Sequence, residues 1–295
     1  MVVTNDPPAP SPSIRLRGRG LGIDIGGTGV KAGLVDLAKG ELIGDRQRER
    51  TPIPSTPEAV AACVARVVAR VLDGQAVRDD MPVGCGLPGV ITDGHMRTAA
   101  NLDASWVDRS AEQLLGTAIG RRVYAINDAD AAGIAEMSHG AGRGERGTVL
   151  VLTIGTGIGT ALFVDGRLVP NCELGHLELR GKDAETLVSG AARERRGIGW
   201  RKWASDFNAY VARMEAYFWP DLIILGGGVS KELPKYEKWL VSRATMRAAV
   251  HQNAAGIIGA AAAAAYGARE ARRPSARRPS ARRPSTGSDA PSLTG

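Results

Sequence analysis

Thr148–Asn171, TVLVLTIGTGIGTALFVDGRLVPN, begins as an apolar strand, breaks into glycines around Thr156, resumes as a second strand, turns at Asp165-Gly166 and resumes again. The same pattern has already occurred once. In Gly22–Gly44, GIDIGGTGVKAGLVDLAKGELIG, the break falls around Thr28 and the later turn at Lys39-Gly40. The first copy predicts strands over 20–26, 30–37 and 41–49, and a helix follows them. Thr56 is a natural N-cap, Pro57 suits the first helical position, Glu58 favours the helix dipole, and Val60, Val64, Val67, Val68 and Val71 line one face up to the stop at Asp73-Gly74. A strand in MPVGCGLPG, a helix near Ser110–Gly120, a strand in RVYAIND and a helix from Ala129 to about Gly140 complete the unit before Thr148 restarts it. The chain is therefore expected to be a duplicated β-β-β-α-β-α unit, two α/β domains facing each other across a cleft.

The repeated turn has chemistry of its own. Glycines let backbone N–H groups approach an anion closely, and a threonine hydroxyl adds a hydrogen bond to a phosphate oxygen. One such hairpin per domain can hold a phosphate chain from opposite sides. GTGIGT is not GxGxxG and runs on into a strand, so a dinucleotide fold is excluded; no GxxxxGK[ST] occurs, which excludes a P-loop. WPDLIILGGGVSK, Trp219–Lys231, adds a buried parallel-type strand ending in Gly226-Gly227-Gly228, and Asn253–Gly267 reads as a helix of small residues.

With 295 residues, 43% hydrophobic and 23% charged, the chain can bury two modest cores. No run of 18 apolar residues predicts a membrane span. The opening MVVTNDPPAPSPSIRLRG lacks an apolar signal region, so a disordered leader and a cytoplasmic protein are expected. Cys63, Cys85 and Cys172 have no CxxC spacing and read as reduced thiols. The net charge of +7 is mostly local. From Ala271 the segment ARRPS occurs three times before TGSDAPSLTG; its six Arg and one Asp supply +5 and leave the body at +2, which gives no footprint for nucleic acid. The tail itself is expected to be disordered.

The ordered motifs DIGGTGVK, PG, INDADAA, GTGIG, ELGH, GGG and AGIIGAA resemble the sugar kinases of the ROK group, within the actin-like ATPase (ribonuclease H-like) fold, over Leu21–Gly267. RTAANLDASW, INDADAAGIAE, LVPN and GHLEL are similar, more narrowly, to the polyphosphate glucokinases of that group. The resemblance implies phosphorylation of glucose at its 6-hydroxyl, with inorganic polyphosphate or ATP as donor, Mg²⁺ as cofactor, and a homodimer. An ATP-dependent hexose kinase acting on mannose or glucosamine is the alternative. Sugar-responsive repressors of the group carry a helix-turn-helix ahead of the first strand, for which the roughly 20 Pro-rich residues before Ile23 leave no room.

By the same resemblance Asp128 is the catalytic base, and an Asp of ordinary pKa suits that role because it is ionised at neutral pH. Asn127, Glu173, His176 and Glu185 bind the sugar. The donor falls to Asp24, Gly26, Gly27, Thr28, Gly29 and Lys31 in the first turn and Gly155, Thr156 and Gly157 in the second, with Gly227 and Gly228 in the third lying against adenosine if ATP binds. Asp24 organises Mg²⁺ through water. Many ROK proteins carry a cysteine-rich zinc loop where this chain has RGKDAETLVSG, so no structural zinc is expected. Asp130 is available to cap the helix behind Asp128.

The expected organisation is a leader over 1–19, an N-terminal domain over 20–126, a C-terminal domain over 127–252, a helix over 253–268 packing back on the N-terminal domain, and a basic tail over 269–295. Between Arg180 and Trp203 seven cations face three acids. That run is expected to form a track for a long polyanionic donor, with Arg193, Arg195 and Arg196 at its centre.

Overall fold

A computed structural model describes residues 16–271; the leader up to residue 15 and the ARRPS tail lie outside the described residues. The first unit runs β1 (Arg19–Gly26), β2 (Gly29–Asp36), β3 (Glu41–Glu49), α1 (Pro57–Leu72), β4 (Val83–Leu87), a small hairpin β5 (Ile91–Thr92) and β6 (His95–Met96), α2 (Ala111–Ile119), β7 (Tyr124–Asn127) and α3 (Asp128–His139). The second runs β8 (Thr148–Ile154), β9 (Ile158–Val164), β10 (Arg167–Val169), β11 (Glu178–Leu179), β12 (Lys182–Asp183), α4 (Glu185–Val188), α5 (Gly190–Arg195), α6 (Trp200–Phe218), β13 (Leu222–Gly226), α7 (Gly227–Ser230), β14 (Thr245–Ala248) and α8 (Ala255–Ala271).

The duplication is visible in the topology. The sheets have the orders β3-β2-β1-β4-β7 and β10-β9-β8-β13-β14, so each places its hairpin strands and its two parallel strands alike. The two glycine turns are not identical. β1 and β2 close at Gly26 opposite Gly29, leaving Gly27-Thr28 as a two-residue turn, whereas Ile154 pairs with Ile158 around Gly155-Thr156-Gly157. Helix α1 starts as its sequence demands: the Ala59 N–H donates to Thr56 Oγ1, and the valine face is buried against the first sheet. Several elements escape the sequence pattern described above. They include β14, α4, α5 and α6, the last of which buries Trp203, Phe207, Tyr210 and Met214 in the second core.

Helices α3 and α8 cross between the sheets, α8 lying against β1 and β4, and α3 against β9. Close approach is what the small-residue sequence of α8 permits. A β-carbon on Gly84 would stand 1.8 Å from the Ala260 carbonyl oxygen, and one on Gly259 would stand 1.6 Å from that of Ala131. Alanine at an exposed helix position ordinarily stabilises relative to glycine by about 1 kcal/mol. Here Gly259→Ala is expected to destabilise by about 2–3 kcal/mol, because the helices must part to admit the methyl group. Urea unfolding reads the sign, and a midpoint at or above wild type would refute the crossing. No helix among the described residues is long and apolar enough to cross a membrane.

Candidate active site

The cleft chemistry gathers where β1, β7 and the segment after β10 approach one another. Asp24 sits on β1 directly opposite Lys31 on β2, and their side chains form an ion pair at 2.7 Å. Across from it, β7 ends in Asn127 and α3 begins with Asp128. Asn127 caps that helix, its Oδ1 accepting from the N–H groups of Ala129 and Asp130, while its Nδ2 donates to the Gly89 carbonyl and to Glu173 Oε1 at 3.1 Å. Both polar ends of the amide are thus engaged with protein. Asn127 therefore orients Glu173 and α3, and it, rather than Asp130, is the cap.

Asp130 has another task. It is buried, its Oδ2 accepts from the Asn171 N–H, and the Asn171 side chain bridges to both backbone polar groups of Ile91. The LVPN segment is thereby fastened to the first unit.

Asp128 departs from the expectation of an ordinary carboxyl. Burial at the base of the cleft, followed by the charge of Asp24, outweighs the N–H of Ala129 and raises its pKa to about 7. Asp130 is likewise raised to about 7, chiefly by burial, and burial pushes Glu173 upward as well. Two carboxyl groups poised near neutrality and a third shifted upward by burial therefore share one locality, as at sites of acid–base work.

The 172–176 segment is held from below. Thr160 on β9 donates to the Cys172 carbonyl and accepts from the Leu174 N–H, and the Tyr210 hydroxyl donates to the Leu174 carbonyl. This presents Glu173 and His176. His176 Nδ1 pairs with Asp183 Oδ2 at 2.7 Å, a contact that raises the imidazole pKa. Asp183, which the sequence did not single out, thus orients the ring. Glu185 Oε2 accepts from the Ile158 N–H and lies against Gly157, joining the predicted sugar segment to the second glycine turn. His176, Asp183 and Glu185 also form the one group among the described residues whose ligand atoms all lie within 4.8 Å of one another, close enough for a metal ion.

Beside Thr156 opens a cavity of about 440 Å³, lined by Gly155, Thr156, Gly190, Gly228, Val229, Arg193, Trp200 and Lys235 among others. Gly228 lines it and Gly227 does not. Every lining residue comes from the second unit, so the expected two-sided clamp is one-sided at this cavity. The first turn has neighbours of its own: β-carbons on Gly27 and Gly29 would stand 2.9 Å from Asn101 Cβ and from Arg48 Nε. Arg48 carried no motif that marked it beforehand, and Asn101 lies in RTAANLDASW but was given no role there.

The basic run divides in a way its composition concealed. Arg180, Arg196 and Lys202 all bind the carboxylate of Asp206 on α6. Arg195 donates to the Thr186 carbonyl. Arg193 alone of the run lies in the cavity wall, its guanidinium 4.1 Å from the centre of the Trp200 ring. A triple change at Arg193, Arg195 and Arg196 would therefore disturb structure as well as any donor site.

Against known proteins, the ROK family profile matches residues 20–195. A polyphosphate glucokinase of Mycobacterium tuberculosis is 45% identical over 241 residues, spanning 81% of this chain and 89% of that protein. The crystal structure of an inorganic polyphosphate/ATP-glucomannokinase from Arthrobacter sp. strain KM superimposes with a TM-score of 0.82 at 50% identity, covering 85% of this chain and all (100%) of that one. A ROK family glucokinase from Streptomyces griseus, solved with glucose and AMPPNP, gives a TM-score of 0.73 at 26% identity over 85% of this chain and 100% of its own.

Proposed function

The chain belongs to the ROK family, whose known structures have the actin-like ATPase fold, and on that footing we propose that it is a glucokinase that transfers a phosphoryl group from inorganic polyphosphate, and also from ATP, to the 6-hydroxyl of glucose. The observation that carries the mechanism is Asp128. Its carboxyl, poised at about 7 beside Asn127 and Glu173, takes the proton of the attacking hydroxyl. Glu173, His176 and Glu185 hold the sugar ring, with Asn127 and Asp183 fixing the orientation of the first two. We assign the His176–Asp183–Glu185 cluster to hydroxyl binding, since the His176–Asp183 hydrogen bond already engages Nδ1.

Thr156 and the backbone of Gly155 and Gly157 cradle the donor, and the Gly27-Thr28 turn reaches it as the cleft closes over the sugar, which excludes water and suppresses donor hydrolysis. The donor set suits Mg²⁺: Lys31 contacts only Oδ2 of Asp24, so Oδ1 is left to hold a hydrated ion, whose charge would offset that of the donor phosphates. The nucleotide arm is supported by the cavity beside Thr156 and Gly228, adjoining the phosphate turn. A homodimer is part of the same proposal, and sedimentation tests it.

Initial rates with glucose and mannose, each against ATP and long-chain polyphosphate under Mg²⁺, test this reading. Glucose with polyphosphate is expected to proceed at least as well as glucose with ATP. Absence of polyphosphate turnover would leave an ATP-dependent hexose kinase.

Glu185→Ala separates two roles for that residue. Loss of a hydrogen bond to sugar, present in ground and transition states alike, is expected to raise the glucose KM about tenfold with kcat within about threefold. A rise confined to the donor KM would make Glu185 a brace for the Gly157 turn instead.

A further inference from the structure

We propose that Arg180, Arg196 and Lys202, assembled on Asp206, form a second phosphate-binding subsite that takes the distal part of a long polyphosphate chain while its end reacts in the cleft. The proposal rests on the polyphosphate reading above. It begins from an imbalance of charge. Asp206 is 1% exposed, and one carboxylate there holds three cations: Arg180 and Lys202 on Oδ1, both at 2.7 Å, and Arg196 on Oδ2 at 2.9 Å. The cluster therefore carries a surplus of two positive charges. The side chains of Arg180 and Lys202 are each 55% exposed, so the surplus faces water.

Cations fixed in place by a buried acid have already lost the side-chain freedom that binding would otherwise cost them. Such a surface suits a repeating polyanion better than it suits a single phosphate.

Two short elements tie the cluster to the donor turn. Helix α5 begins where the Ala191 N–H donates to the Gly155 carbonyl and ends at Arg195, with Arg196 as its cap; its six residues span about 9 Å. Helix α4 begins at Glu185, which touches the Gly157 turn, and its Leu187 carbonyl accepts from Arg196. Arg193, in the cavity wall, lies on the same α5, whose cap Arg196 belongs to the cluster. A chain several phosphates longer than a triphosphate can span this interval. ATP ends in a nucleoside instead.

The surface also disfavours nucleic acid. Trp203 beside the cluster is fully buried, and Trp200 is covered by Arg193 and stacked on Tyr236, so no open aromatic face awaits a base.

The test compares wild type, Arg180→Ala/Lys202→Ala and an exposed control, Arg122→Ala/Arg213→Ala, using ATP, tripolyphosphate and polyphosphate of about 50 or more units at several salt concentrations. In the first double variant the long-chain KM is expected to rise about tenfold or more, with ATP and tripolyphosphate within about twofold. The slope of log KM against log salt for the long chain should also fall by about one for each cation removed. The control should resemble wild type. Arg196 still pairs Asp206 in that variant, and a melting curve verifies the fold. Should it unfold, Arg180→Gln alone leaves two cations in place and is expected to raise the long-chain KM about threefold.

A long-chain KM within twofold of wild type, or an equal rise for all three donors, overturns the subsite while leaving polyphosphate turnover intact. Wild type inactive with every polyphosphate overturns the functional reading itself; the subsite is then judged by calorimetric binding of long-chain polyphosphate, and unaltered affinity in the double variant sinks it too. Equally strong binding of a single-stranded DNA oligonucleotide, lost in the same variant, would overturn its selectivity for phosphate chains.

Discussion

Asp128→Asn is expected to lower kcat for glucose phosphorylation by about 10²–10⁴ and at the same time to raise the stability of the protein. The amide keeps the shape of the carboxyl and can still accept from the Ala129 N–H, a contact of 2.8 Å in the native protein. It cannot take a proton. It also carries no charge, and the native charge is costly: burial and Asp24 hold the Asp128 pKa at about 7, against about 3.9 for an unfolded Asp. Between those values the folded protein binds the extra proton, so stability falls as pH rises through the window and the full cost is present above it.

Removing the charge should therefore add about 1–3 kcal/mol at pH 8, a rise of about 2–4 °C in Tm for each kcal/mol. Asp130, also near 7, is untouched and keeps its share of the pH dependence. In the wild type, kcat/KM should climb with pH along an acid limb centred near 7, as the base ionises. The apparent value belongs to the coupled carboxyl groups together. A variant retaining more than a third of wild-type kcat would remove Asp128 as the base, and a lowered Tm would contradict the desolvation account.

Asp206→Ala is expected to cost about 2 kcal/mol, less than the roughly 3–5 of a fully buried ion pair, because Arg180 and Lys202 are each 55% exposed and stay solvated when the carboxylate is lost. Burial alone would raise this carboxyl, but hydrogen bonds from Lys202, Arg180 and Arg196 prevail and hold it at about 2. The sign is opposite to that of Asp128. A depressed carboxyl contributes stability that is complete above the unfolded value of about 3.9 and disappears as pH falls through about 2. The variant should accordingly show its deficit in urea unfolding at pH 7, and the gap from wild type should shrink below pH 3. A deficit under 1 kcal/mol at pH 7 would mean that the three cations rearrange freely, which would also weaken the case for a preorganised subsite.

Much of the molecule was legible in one dimension. Glycine-threonine breaks between apolar runs predicted both hairpins; Thr56, Pro57 and the valine spacing predicted α1; and the ordered motifs led to the ROK family. Such signals are local, because turn geometry, capping and periodicity depend on residues within a few positions of each other. The residues of the candidate site were singled out for the same reason, since Asp128, Glu173, His176 and Glu185 each lie in or beside a recognisable motif.

What tertiary structure alone decided is energetic and crosses the chain. Asp24 reaches Asp128 from 104 positions away, and the β-strands that join them determine a pKa that Asp128 and its sequence neighbours do not reveal. Asn127 proved to be engaged at both polar ends because Gly89 and Glu173 converge on it. The cations between Arg180 and Trp203 look alike as a run, yet Asp206 selects three of them and leaves Arg193 in the cavity wall. Charge, desolvation and hydrogen-bond satisfaction are properties of a residue's surroundings in space, and only folding assembles those surroundings.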